Sequence, residues 1–121
     1  MVQYSPTHLD LSFAALSNGT RRGILDLLAR GEASITSLAD SFRMTLTGVK
    51  KHVEVLERAG LVVTRMEGRV RTCALGPGAL AAEAAWIEQR RRLFAARFEA
   101  LDDILDTLQQ EMRDDGRPED S

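Results

Sequence analysis

The chain has 121 residues, enough for one domain with a substantial core but not for two. A hydrophobic fraction of 44% and a charged fraction of 28% describe an ordinary water-soluble globular protein, and no apolar run approaches the ~20 residues that span a bilayer. The net charge of −2 argues at first against a polyanionic partner, but it conceals an asymmetry. Residues 43–71 carry seven basic side chains against three acidic ones, a local +4, whereas 99–121 carry nine acidic against two basic, a local −7. The local field, not the total, decides where a polyanion docks. A single cysteine, Cys73, excludes an internal disulfide framework and fits a reducing cytosol. The first residues show no basic-then-apolar secretory pattern, so a cytoplasmic protein is expected. Two histidines and that one cysteine are too few for an all-protein transition-metal site, so neither metal nor cofactor is expected.

In chain order, 7–17 reads as a first helix, with Leu9, Phe13 and Leu16 at helical spacing. Ser17-Asn18-Gly19-Thr20 breaks it, with Asn18 or Ser17 as the next cap. A second helix over 20–30 buries Ile24, Leu25, Leu27 and Leu28 and stops at Gly31. Ile35 falls in a short extended piece, and Thr36 is expected to cap a third helix over 37–42 that turns Leu38, Ala39 and Phe42 inward. Arg43-Met44 then makes a tight link into the stretch 45–60.

That stretch has a hydroxyl N-cap at Thr45 and a glycine, Gly60, just past its far end. Val49, Val53, Leu56 and Ala59 recur at steps of four, three and three, a stripe that must be buried. The opposite side of its first turns offers Thr47, Gly48, Lys50 and Lys51. A helix anchored along one stripe with a small, hydroxyl and cationic tip suits the DNA major groove, and its N-terminal N–H groups favour phosphate. Two short helices joined this tightly form a helix-turn-helix. The alternative on this stretch alone is an ordinary amphipathic surface helix.

Next come two β-rich runs, 61–66 and 69–75, separated by Glu67-Gly68, expected as a two-residue hairpin loop. That loop pairs Met66 with Arg69, Thr64 with Arg71 and Val62 with Cys73 on one face, and sets Arg65 beside Val70 on the other. A ribbon with Arg65, Arg69 and Arg71 near its tip, directly after a recognition-type helix, reads as a wing able to reach backbone phosphate or the minor groove. The alternative is a solvated hairpin. Gly76-Pro77-Gly78 ends it. A long helix over about 79–112 follows, in which Ile87, Arg91, Phe94, Phe98, Leu101, Leu105, Leu108 and Met112 alternate steps of four and three. This is a heptad seam interrupted once, at Arg91, and widened by Trp86, Leu93 and Ile104. A helix on the order of 50 Å long cannot bury that seam on so small a domain, so it is read as a dimer interface completed by the first helix through Phe13. A tail folded back on its own domain is the alternative. The acidic stretch 114–121 is expected to be disordered.

In this order the elements resemble the ArsR-type (arsenic-repressor-like) winged helix-turn-helix transcription regulators of bacteria. The resemblance is carried by Ala15-Leu16-Ser17-Asn18-Gly19-Thr20-Arg21-Arg22-Gly23-Ile24-Leu25, by Val49 through Val62, and by the Glu67-Gly68-Arg69 wing tip. It implies a homodimer, probing an inverted-repeat operator on double-stranded DNA and commonly acting as a repressor that an inducer releases. Gly19 stands where the family usually has proline, and Lys50 where it usually has serine. Glu32-Ala33-Ser34-Ile35-Thr36 holds no thiol and the last helix no histidine, which points to the non-metal-sensing type.

The fold class expected is therefore mainly α with a small β-hairpin: a single winged helix-turn-helix domain over 1–113, with the helix-turn-helix at about 36–60, the wing at 61–76 and a C-terminal dimerisation helix at 78–113. Candidate DNA-binding residues are Thr45, Thr47, Lys50, Lys51, His52, Arg65, Arg69 and Arg71. Candidate dimerisation residues are Phe13, Ile87, Phe94, Phe98, Leu101, Leu105 and Leu108. Leu46 either touches a thymine methyl or packs inward, and His52 either packs or meets phosphate. Cys73 reads as a buried structural thiol rather than a redox sensor, and His8 as solvated. Arg90-Arg91-Arg92 reads as a charged face bridged to Glu83, Glu88 or a partner's acids. No nucleophile–base set or phosphate loop supports catalysis. Alternative functions are a winged-helix protein-interaction module, or a regulator answering a thiol oxidant or small-molecule effector; no membrane partner is expected.

Overall fold

The computed structural model describes residues 6–116. Its elements run α1 (Pro6–Leu16), α2 (Gly19–Leu28), β1 (Ala33–Ser34), α3 (Ile35–Phe42), α4 (Leu46–Arg58), β2 (Val62–Glu67), β3 (Val70–Leu75) and α5 (Ala81–Gly116). The strands form one antiparallel sheet in the order β1-β3-β2. Two compact units divide the chain within α5, one through Ala84 and one from Ala85 onward.

In the first unit the apolar stripes read from the sequence converge on one core. Ile24, Leu25 and Leu28 of α2, Ile35, Leu38 and Ala39 of α3, and Val49, Val53 and Leu56 of α4 meet Leu61, Val62 and Cys73 at the base of the hairpin. Val49, Val53 and Leu56 have no exposed surface, and each contributes about 1.5–3 kcal/mol by leaving water. Capping sets the ends. Asn18, not Ser17, caps α2 by accepting from the Arg21 N–H (3.1 Å), while the Ser17 hydroxyl donates to the Ala14 carbonyl (2.6 Å). The Thr45 hydroxyl accepts from the Gly48 N–H at the head of α4 (3.0 Å). At its tail the Leu61 N–H reaches the Leu56 carbonyl and the Gly60 N–H the Glu57 carbonyl, the double closure that stops a helix at a glycine.

Four local expectations are corrected. Ser34, not Thr36, caps α3, accepting from the Ser37 N–H, so Ile35 begins the helix instead of sitting in an extended piece. The extended residues are Ala33 and Ser34, held there by pairing with Cys73 and Thr72. The hairpin loop is Gly68-Arg69, and the register slides by two: Glu67 faces Val70, Met66 faces Arg71, Arg65 faces Thr72, Thr64 faces Cys73 and Val62 faces Leu75. The reason is the loop's backbone. Gly68 takes φ +62° at the first loop position, the place where a two-residue turn with one positive φ requires glycine; a Glu67-Gly68 loop would load that conformation on Glu67. Finally, α5 is helical through Gly116, so 114–116 are not disordered; 117–121 lie outside the described residues.

The turn of the helix-turn-helix has an unusual occupant. Arg43 adopts φ 53°, ψ 47°, and the Met44 N–H closes onto the Ala39 carbonyl (2.9 Å). This is the helix-ending geometry that normally uses glycine.

Gly76 marks a close crossing: its N–H donates to the Leu61 carbonyl (2.9 Å), and an added Cβ would lie 2.3 Å from the Gly60 carbonyl oxygen. Gly76→Ala should lower unfolding free energy by about 1–3 kcal/mol, read from denaturant midpoints, because two backbones rather than a side chain must move apart.

Candidate nucleic-acid interface

The inward stripe of α4 dictates what its other side presents. With Val49 and Val53 fully buried, Thr45, Leu46, Thr47, Lys50 and Lys51 are all exposed around the N-terminal turns. Neither lysine forms an ion pair among the described residues. The cluster therefore combines two free ammonium groups with the positive end of a capped helix. Leu46 keeps 46% of its surface, so of the two readings left open for it, outward placement holds.

The wing arginines divide. Arg71 faces the inner side of the ribbon with Thr64 and donates to Glu57 on α4 (Nη2–Oε1, 2.6 Å) and to the Thr64 hydroxyl (3.3 Å); Thr64 in turn donates to the other Glu57 oxygen (3.1 Å). This half-buried triangle pins the wing to the rear of α4. On the outer side Arg65 forks onto Glu32 before β1 and donates to Glu67 (2.7 Å). The hydrogen bond from Arg65 holds the Glu32 carboxyl below its ordinary value, and Glu32 and Glu67 together raise the Arg65 pKa. Arg69 alone of the three sits in the turn with no ion pair among the described residues.

His52 occupies the edge of the buried stripe. Its Nδ1 lies 3.3 Å from Arg21 Nη1; since arginine only donates, Nδ1 is the acceptor. Burial first, then the Arg21 charge, lowers its pKa from 6.5. A neutral ring so engaged is a structural partner in this conformation. Arg21 is the hub the sequence reading passed over. Its Nε and Nη2 also bond the Ala15 and Ala14 carbonyls (2.8 and 3.1 Å), and Arg22 bonds Leu16 (2.7 Å). The paired arginines thus satisfy the open C-terminal carbonyls of α1. The dipeptide was visible, but its targets lie six or seven residues back across a turn.

Cys73 is buried, and burial raises its thiol pKa. His8 is not solvated as expected: its Nε2 lies 3.2 Å from Oε1 of Glu83, whose side chain is almost wholly buried and draws the ring in. In the second unit Glu88 bridges Arg91 and Arg92 (3.4 and 3.5 Å), while Arg90 stacks over Trp86 at 4.5 Å. The candidate dimer residues of α5 are exposed, from 44% at Ile87 and Leu101 to 61% at Phe98. Phe13 on α1 is half-buried.

A helix-turn-helix followed by a clamped β-ribbon defines a winged helix-turn-helix domain. Residues 16–65 match the profile of a helix-turn-helix domain. Over 73 residues the chain is 38% identical to the HTH-type transcriptional regulator Rv2034 of Mycobacterium tuberculosis, covering 60% of this chain and 68% of that relative. The crystal structure of an ArsR family transcriptional regulator superposes with a TM-score of 0.71 at 40% identity, over 78% of this chain and 97% of that one. The homodimeric winged helix-turn-helix DNA-binding domain Mb0332 of Mycobacterium bovis gives a TM-score of 0.57 at 30% identity, over 84% and 91%. The chain belongs to the ArsR family of transcriptional regulators.

Because the folded state lowers the His52 pKa, the unfolded chain takes up the proton first. The contribution of the neutral ring to stability is whole above pH ~6.5 and is lost as pH falls through the folded value. Denaturant midpoints should fall as pH drops from 7.5 to 5.5, and His52→Gln should flatten that segment of the profile.

Proposed function

We propose that this regulator acts as a homodimer on double-stranded DNA, with two copies of α4 entering successive major grooves of an inverted-repeat operator. The observation that carries this reading is the exposed Thr45, Thr47, Lys50 and Lys51 cluster, set at the head of a helix whose opposite stripe has no exposed surface. Half-sites then lie about one helical turn apart, roughly 34–36 Å. Thr45 and Thr47 meet phosphate or base edges, Lys50 and Lys51 phosphate or guanine, and Arg69 the flanking backbone. His52, Arg65 and Arg71 serve mainly to hold α4 and the wing in place, reaching DNA only by exchanging their present partners.

Dimerisation is assigned to the α5 seam of Ile87, Phe94, Phe98, Leu101, Leu105 and Leu108, with Phe13 contributing from α1. The exposure of that seam supports the assignment, since an apolar stripe this long on a lone helix leaves a large surface in water. Repression follows by occupancy, since a dimer across two half-sites excludes other proteins from the same DNA, and the protein works in the cytoplasm. The Mb0332 domain, described as homodimeric and DNA-binding, supports the assembly and the partner. An inducer of the non-metal type is the remaining part of the proposal.

Lys51→Ala should weaken operator binding and reduce the slope of log affinity against log salt by about 2 per dimer, one contact being lost from each protomer. Unchanged affinity in a gel-shift titration would remove α4 as the reader. Phe98→Asp should convert the dimer to monomer by sedimentation and abolish tight operator binding, while α-helical content at the winged domain is retained.

A further inference from the structure

Charge divides α5 into two halves. Residues 85–98 carry four arginines against one carboxylate, Glu88, a local +3, whereas 99–114 carry six carboxylates against Arg113, a local −5. Inside the helix the arginine run is poorly answered. Glu88 alone serves both Arg91 and Arg92, at 3.4 and 3.5 Å, through pairs exposed enough to be exchanged at little cost. Beside Arg91 lies a groove of about 410 Å3, lined by Phe94, Ala95 and Phe98 together with Glu88, Arg91 and Arg92. Apolar and cationic walls side by side suit an apolar side chain followed closely by an acid. The seam from Ile87 to Met112 has one further property: its steps of four and three read the same from either end, with their centre between Phe98 and Leu101.

We infer that the arginine run at the head of α5 is the seat of the acidic far end of a second copy's α5, the two helices lying antiparallel about that centre. The inference rests on the dimer reading and deepens it, fixing which end of the partner lies where. Antiparallel pairing sets Ile87 against the partner's Met112, Arg91 against the partner's Leu108, Phe94 against the partner's Leu105 and Phe98 against the partner's Leu101, so no level of the seam is left over. Arg91 then lays its stem on the partner's Leu108, and its guanidinium comes within reach of the partner's Glu111 one turn further on. Arg90, on the flank of the seam, meets the same carboxylate, and each +3 half lies along a −5 half. A parallel pair would instead place Arg91 against the partner's Arg91 within the seam and run the two acidic halves side by side. Like charges in a desolvated layer are the costlier arrangement, so polarity is decided by charge while the apolar residues supply the adhesion.

The test uses the full chain without DNA. The only native thiol, Cys73, is buried, so cysteines introduced into α5 report on their own neighbours. Under mild oxidation Ile87→Cys and Met112→Cys should each remain uncrosslinked, whereas the chain carrying both should run as a covalent dimer. Charge reversal gives an independent reading by sedimentation at low salt. Arg90→Glu or Glu111→Arg alone should raise the dimer dissociation constant about tenfold, two pairs being reversed per dimer, and the two together should restore it. Self-linking of Ile87→Cys alone would establish a parallel pair and overturn the inference while leaving the dimer intact. A doubly substituted chain that sediments as a dimer yet never cross-links, or charge reversals that do not rescue one another, would overturn it as well. An unaltered protein that sediments as a monomer would remove the dimer reading itself, and the inference with it.

Discussion

The structure depends on the burial of one face of α4. Val49, Val53 and Leu56 lose all contact with water, and a helix held at three such points has no freedom to rotate about its axis. Rotation by one residue, about 100°, would bring a lysine ammonium toward the core, at a cost far above what any single apolar contact returns. The outward placement of Thr47, Lys50 and Lys51 is therefore a consequence of packing, not of any preference of those residues. The helices that supply the opposing surface, α2 and α3, matter to function mainly because they enforce that orientation.

The wing is coupled to the same helix by polar rather than apolar means. Glu57 lies on the rear of α4 and receives both Arg71 and Thr64, so the ribbon cannot tilt without separating a half-buried ion pair. Arg65 repeats the arrangement on the outer side, through Glu32. Two of the three wing arginines thus have their charge largely matched within the fold. The +4 of residues 43–71 already counts Glu57 and Glu67, and Glu32 from outside that range offsets one charge more, so the unpaired charge lies at the turn, on Arg69, and on the head of α4, on Lys50 and Lys51. Placing the remaining charge on rigid supports is what allows a few cations to act at defined positions.

The second unit poses a different problem. α5 runs for 36 residues, about 54 Å, with its apolar seam in water from Ile87 to Met112. Ion pairs of Glu88 with Arg91 and Arg92 are exposed and weak, worth a few tenths of a kcal/mol each. Such pairs cannot hold a lone helix against fraying, and tertiary or quaternary packing of the seam has to supply the rest. Arg91 within the seam interrupts it at a single level, where its stem can lie along apolar surface while the guanidinium reaches an acid.

Periodicity in the sequence was enough to establish five helices, a hairpin and the inward stripe of α4, because a buried face must repeat with the pitch of its element whatever it packs against. The cap at Thr45 and the stop at Gly60 were legible because their hydrogen bonds close within three to five residues, while the cap of α2 was narrowed only to Asn18 or Ser17 until the Arg21 N–H was seen to choose Asn18. What the chain alone did not disclose are contacts whose partners are distant in sequence. The two-residue slide of the hairpin, which put Arg69 in the turn, followed from which residue takes the positive φ. The pairing of Ala33 and Ser34 with β3, the capture of His8 by buried Glu83, and the convergence of Arg21 on α1 and His52 needed the assembled fold. So did the division of the wing arginines into two that brace and one that stays free, because only packing brings Glu32 and Glu57 to opposite faces of one ribbon.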